Sequence, residues 1–308
     1  MSEHTGRTIC VIGGANIDIA ATYDADHDNF SDSHSGKISV SAGGVARNIA
    51  ENLAHLGSRV RLFCAIGDDD FSHTLRASID MPEIDSSACI TAANMACDCY
   101  MSMFDMTGEI LHAVNQMQLT DYLTPAYLSH YEQDICAAEL IIADCNLSRK
   151  TLEWIAHLPN RPPLFIDGVS AEKIVKINTC LSVIDGLKCN HTEAAELLGL
   201  EHTAAPEALI TGLRKFGIET IILSLGAEGI HSSYEDMQIA VSPPETPPHI
   251  ISASGAGDAL IAGYIHGMVG GLTHEKALHL GVQAAQLTLC CASAVHPDIA
   301  SLSVPENR

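Results

Sequence analysis

"LIIADCNLSRKTLEWIAHLPNRPPLFID" (Leu140–Asp167) decides the fold. Two short apolar runs, Leu140–Asp144 and Pro163–Asp167, each end in an aspartate, and a helical stretch near Ser148–His157 lies between them. An apolar run of this length bounded by turn residues reads as a strand buried on both faces. Strand, helix, strand is the unit of a parallel sheet. The unit recurs downstream. Helical stretches near Ala171–Lys176, Thr192–Leu198 and Pro206–Phe216 alternate with the strands Val183–Asn190 and Thr220–Gly226. Another helix, near Pro125–Cys136, leads into Leu140. Upstream, Arg7–Ala20 reads as a buried strand stopping at Gly13-Gly14. Ser41–Gly57 is a glycine turn opening a helix with Val45, Ile49, Leu53 and Leu56 at helical spacing, and Arg59–Gly67 is the next strand. The expected fold is α/β: a mostly parallel central sheet flanked by helices on both faces.

The pattern changes in Ala88–Gln116, where short alternating stretches and a turn at Thr107-Gly108 point to small antiparallel strands. One domain, 1–308, is expected, with a core of 1–16, 44–87 and 118–308. Lid strands are expected from 17–43 and 88–117. Ser242–His249, "SPPETPPH", reads as a stiff proline connection.

Bulk chemistry narrows the function. A formal net charge of −22 repels nucleic acid and anionic membranes, so neither is an expected partner. Phosphate binding then has to rely on local devices such as helix N-termini, amides and metal ions. Eleven cysteines without a CxxC pair are expected to be reduced thiols of a cytoplasmic protein, and Cys97 and Cys99 lack the second pair of a tetrahedral metal site. The sixteen histidines form no ligand-spaced cluster and are expected mostly on the surface. There is no apolar stretch of membrane-spanning length, no P-loop, no complete G-x-G-x-x-G and no HExxH.

In parallel sheets ligands gather at the carboxyl ends of strands. The polar residues there are Asn16, Asp18, Asp144, Asp167, Asn190 and Ser224. Ser252–Gly263, "SASGAGDALIAG", starts a helix with two glycines around Ala256 and an acid next to them. The amides of Gly255, Ala256 and Gly257 suit an anion, and Asp258 is either the helix cap or a proton acceptor beside that anion. Asn190 and Glu193 fit a capping box, or an outer-shell holder for Mg²⁺ acting through water. Gly43, Gly44 and Asn48, with Asp18, offer small polar groups suited to vicinal hydroxyls, or else ordinary tight turns. Ser224, Gly226 and Gly229 form a hairpin turn or a nucleotide wall.

The order of these motifs resembles the PfkB/ribokinase family of sugar and nucleoside kinases. "GGANID", "AGGVARN", "CNHTE" and "GAGD" all fall in sequence over nearly the whole chain. "IDGVSAEK" (Ile166–Lys173) and "TLCCASAVHPDIASLS" are similar to its pseudouridine-kinase branch. The resemblance implies a ribokinase-like fold and transfer of the ATP γ-phosphate to the 5′-hydroxyl of pseudouridine. Asp258 would be the base and Gly255–Gly257 the anion hole. Asn16, Asp18, Gly43, Gly44, Asn48 and Asp167 would lie on the substrate side. Asn190, Ser224, Gly226 and Gly229 would lie on the ATP side, with Glu193 and Asn190 organising Mg²⁺. It also implies a homodimer through the lid. The alternatives are a kinase for ribose, adenosine or a fructose-type sugar, and a non-catalytic sugar or nucleoside binder. One departure stands out: Ser252 takes the place of the family's usual aspartate at the K⁺ site, and Ser254 that of its threonine.

Overall fold

The computed structural model describes residues 8–23, 33, 35–106, 110–243 and 249–302. Most of the proline stretch at 242–249 lies outside them. Their largest sheet has nine strands. Across the sheet they run Met237–Val241, Ile230–Tyr234, Thr220–Ser224, Gly186–Asn190, Leu164–Asp167, Leu140–Asp144, Thr8–Ile12, Arg59–Phe63 and Ile84–Asp85. Pairing is parallel from Thr220–Ser224 to Ile84–Asp85, and antiparallel only among the last three strands at the other end.

Alternation assigns each strand residue to one of two cores. Cys10, Ile12, Ile141 and Ala143 join the cluster built with Leu152, Ile155, Leu197 and Leu213. Ile9, Val11, Leu140 and Ile142 join the cluster on the opposite face, with Ile49, Leu53, Leu260 and Tyr264. Covering both faces explains why these strands read as unbroken apolar runs.

The chain reverses direction across the sheet beside Thr8–Ile12. Arg59–Phe63 pairs on one side of that strand and Leu140–Asp144 on the other. Such a switch point opens a crevice at the carboxyl ends. Gly13-Gly14 and Cys145-Asn146 stand at its two lips.

A second sheet of four strands has the order Gly36–Gly43, Asn16–Tyr23, Cys99–Phe104, Ile110–Gln116. Its two faces differ. Ser41, Asp18, Tyr100 and Asn115 share one row, and Val40, Ile19, Met101 and Val114 share a row on the other face. Ile90–Thr91 lies outside this sheet and pairs with Ala65–Ile66.

One detail departs from expectation, and one described histidine is an exception to the mostly exposed rest. The stretch 125–136 is two short helices, Pro125–Leu128 and Glu132–Cys136, separated by a 3₁₀ turn. His274 is a core histidine, not a surface one. Its ring nitrogens meet Ser232 Oγ and Tyr264 Oη, each at 3.1 Å, and burial pushes its pKa down to about 4.

The long helices Ala256–Val269 and His274–Leu289 pack with close backbones. A β-carbon at Gly281 would sit 2.5 Å from the Leu260 carbonyl oxygen. This crossing fixes the helix whose first turn carries Asp258.

Candidate active site

Asp144 ties the crevice together. Its Oδ2 accepts the Gly14 amide at 2.8 Å and the Ala46 amide at 3.0 Å, and its Oδ1 accepts the Asn146 amide at 2.8 Å. One buried carboxylate thus holds the first glycine turn, the start of the helix Val45–His55 and its own loop. Gly44, at the cap of that helix, has φ +99°, and a β-carbon there would overlap Ala15. Glycine is required by both the conformation and the space.

Asn16 donates from Nδ2 to Asp18 Oδ1 at 2.6 Å, and the Asp18 carboxylate lies against Gly43. Burial raises the pKa of Asp18. Sequence reasoning missed Arg47, which is 2 % exposed. Arg47 donates to the carbonyls of Gly43 and Ala42 at 2.9 and 3.0 Å, pairs with Glu51, and donates to Asn48 Oδ1. Nothing in its sequence surroundings marks it as buried. Its effect is to turn the Asn48 amide so that Nδ2 points the other way, at Asp258 Oδ2, 2.7 Å off. Two residues 210 positions apart meet there.

Asp258 is not the helix cap. The cap is Gly255, left-handed at φ +79°, and Asp258 stands at the third helical position with its side chain on Asn48. A β-carbon at Gly255 would overlap the carbonyl of Ala294. Asp258 is 7 % exposed. Burial and then the charge of Asp167 push its pKa up to about 7, against the pull of Lys188 and the Asn48 bond. A carboxyl poised near neutrality is matched to general-base work.

Asn190 and Glu193 form the full capping box of the helix His191–Leu198. Asn190 Oδ1 accepts the Glu193 amide at 2.8 Å, and Glu193 Oε2 accepts the Asn190 amide at 2.9 Å. Asn190 Nδ2 also donates to Glu193 Oε1 at 2.8 Å. Burial raises the pKa of Glu193. Among the described residues no group of three or more His, Cys, Asp or Glu could hold a metal ion. A hard cation at this place would therefore rest on phosphates and water, with Glu193 in its outer shell; oxygen donors fit Mg²⁺ in that manner.

A cleft of about 400 Å³ opens beside this box, lined by Asn190, Thr192, Pro206, Ser224, Leu225 and Gly226. Ser224 donates to the Cys189 carbonyl at 3.4 Å. The segment 224–229 is the turn of an antiparallel hairpin, with Gly226 and Gly229 at positive φ. Ser252 Oγ accepts the Ser254 amide at 3.1 Å.

Asp167 stands apart from Asn16, Asp18 and Asn48 in its contacts. It is 1 % exposed, accepts the Val169 amide at 2.9 Å through Oδ1, and faces Lys188 Nζ at 3.0 Å through Oδ2. Lys188 is the second residue that sequence reasoning missed. Its signal was a lone lysine inside the apolar strand Gly186–Asn190.

A family model described as "pfkB family carbohydrate kinase" matches residues 7–300. The chain belongs to this family. It is 33 % identical to the pseudouridine kinase of Escherichia coli over 96 % of this chain and 95 % of that one. It is 24 % identical to the guanosine-inosine kinase of Exiguobacterium acetylicum over 90 % of this chain and 92 % of that one. Among solved structures, the ribokinase of Arabidopsis thaliana complexed with ribose and ATP superposes with a TM-score of 0.84. The identity there is 18 %, over 97 % of this chain and 99 % of that one. The fold of this pfkB family member is ribokinase-like.

Proposed function

We propose that this pfkB family kinase transfers the γ-phosphate of Mg-ATP to the 5′-hydroxyl of pseudouridine. The observation that carries the chemistry is Asp258: buried, held by Asn48, lifted to about 7, and set one residue past the Gly255–Gly257 turn. In this role it accepts the acceptor alcohol's proton while the amides of the first helical turn face the migrating charge. A binder needs no such acid, which counts against a purely non-catalytic role. Asn16, Asp18, Gly43, Gly44 and Asn48 would hold the ribose. Asn190, Ser224, Gly226 and Gly229 would border the nucleotide, beside the cleft described above. Mg²⁺ would neutralise phosphate charge, with Glu193 holding its waters. Asp167 would lie on the substrate side, paired with Lys188.

The pseudouridine assignment is supported by the likeness to the Escherichia coli enzyme. A second reading, a kinase for another nucleoside or sugar, is supported by the guanosine-inosine kinase and ribokinase relatives. A panel of pseudouridine, uridine, adenosine, ribose and fructose 6-phosphate, each with Mg-ATP, decides between them. The highest kcat/KM is expected with pseudouridine. A preference for ribose or adenosine would discard that assignment, and ligand binding without ATP turnover would discard the kinase.

The lid also supports a homodimer. Val40, Met101 and Val114 share a row and are 47, 45 and 69 % exposed, with Ile38 beside them at 72 %. An apolar face of this kind suits burial against its own copy. No described helix is long and apolar enough to cross a membrane. Cytoplasmic residence with reduced thiols is part of the same proposal.

A further inference from the structure

Lys188 is a buried cation with no assigned work. It sits on the strand Gly186–Asn190, two residues before Asn190, and is 8 % exposed. Its Nζ lies at the anion turn itself: a β-carbon at Gly257 would be 2.5 Å from it. The ammonium thus occupies the space beside the second glycine of Gly-Ala-Gly-Asp. Burial works against the ammonium, but the charges of Asp167, Asp258 and Glu193 outweigh that penalty and hold its pKa above the ordinary lysine value. The ion pair to Asp167, at 3.0 Å, is its resting partner. Asp167 Oδ2 makes no well-angled hydrogen bond there. The pairing is therefore charge to charge, and an ammonium with three donors keeps some of them spare.

Three carboxylates around one ammonium leave a local excess of negative charge. A triphosphate entering that space meets repulsion from all three unless Lys188 screens it. We propose that Lys188 is a catalytic residue whose ammonium contacts the phosphoryl group in transfer, with Asp167 as the counter-ion that holds it in place beforehand. The inference rests on the Gly255–Gly257 turn being the phosphoryl site. In the step served, the bond from the γ-phosphorus to the ADP oxygen breaks and ADP leaves with the electron pair. The acceptor oxygen bonds to that phosphorus, and its proton passes to Asp258. Charge on the equatorial oxygens is spread between the helix amides and Lys188. Lys188 also favours the ionised form of Asp258, so it serves the base as well as the phosphate.

The test uses Lys188→Met, Lys188→Arg and the double variant Lys188→Met/Asp167→Asn in the full chain. Loss of one preorganised charge donor costs about 10²–10³ in kcat. Lys188→Met is expected to fall by that range, with Lys188→Arg recovering part of it. Binding is read separately, without any acceptor. The affinity of Lys188→Met for a non-hydrolysable Mg-ATP analogue is expected to weaken at least about tenfold, and that for Mg-ADP by less than about twofold, because the missing contact is to the γ-phosphate alone. Removing a buried charge from its pair also destabilises the fold, so the double variant is the control. It removes both charges, and its thermal midpoint is expected to return toward the wild-type value while kcat stays low. Recovery of kcat to within about threefold in the double variant, or equal losses for analogue and ADP, would overturn the proposal and leave Lys188 a structural counter-ion. If the wild type phosphorylates nothing in the acceptor panel yet the analogue-to-ADP split is seen, the acceptor assignment fails and the role of Lys188 stands.

Discussion

Replacing Asn48 by alanine tests the link between the two halves of the candidate site. Asn48 Nδ2 donates to Asp258 Oδ2 at 2.7 Å, inside a buried environment. A hydrogen bond to a charged group contributes about 1.5–3 kcal/mol. One pKa unit corresponds to about 1.36 kcal/mol, so losing the bond raises the Asp258 pKa by about one to two units. From about 7 in the intact protein it moves to about 8–9. At pH 7 the ionised fraction then drops from about one half to between about one tenth and one hundredth. The measurement is kcat/KM for the acceptor, at saturating Mg-ATP, across pH 5.5 to about 10. In the wild type the rate is expected to rise with pH through about 7 as the proposed base ionises. In Asn48→Ala the rising limb is expected to shift alkaline by about one to two units, for a loss of about 5- to 50-fold at pH 7 that shrinks at high pH. Any loss of sugar contacts lowers the whole curve without moving its midpoint, so the two effects separate. A midpoint that does not move would refute either the bond or the role of Asp258.

Further outcomes follow from the same geometry. Asp258→Asn is expected to lose about 10²–10⁴ or more in kcat while keeping acceptor binding, seen by calorimetry. Wild-type stability is expected to fall as pH rises between 3.8 and about 7, because the folded acid holds its proton longer than the unfolded one. Asp258→Asn should show a shallower slope in urea titrations, because Asp18 and Glu193, whose pKa burial also raises, keep their own share of it. Glu193→Gln is expected to raise the Mg²⁺ concentration needed for half-maximal rate, and an unaltered Mg²⁺ titration would remove Glu193 from the metal's outer shell. Gly281→Ala places a methyl 2.5 Å from a backbone oxygen that cannot rotate away. Such overpacking costs about 1–3 kcal/mol, read as a lowered denaturation midpoint with an unchanged m-value.

The sequence by itself determined the layered architecture and much of the site's cast. The apolar runs Leu140–Asp144, Leu164–Asp167 and Thr220–Ser224 read as buried strands, because run length and flanking turn residues are local in the chain. The change of texture after Ala88 marked the strands Cys99–Phe104 and Ile110–Gln116 of the small sheet for the same reason. Gly-Ala-Gly-Asp announced a special helix start, but not which role its aspartate plays. A cap and a base look alike in sequence, and only the folded helix, capped by Gly255 with the Asp258 side chain turned to Asn48 210 residues away, rules out the cap. Arg47 was silent, and Lys188 showed only as a lone lysine in an apolar strand, because a buried charge is set by partners distant in the chain: Arg47 by the carbonyls of a folded turn, Lys188 by Asp167, Asp258 and Glu193. Periodicity says which side chains leave water. The tertiary structure alone brings their opposite charges within reach, and with them the electrostatics of the crevice.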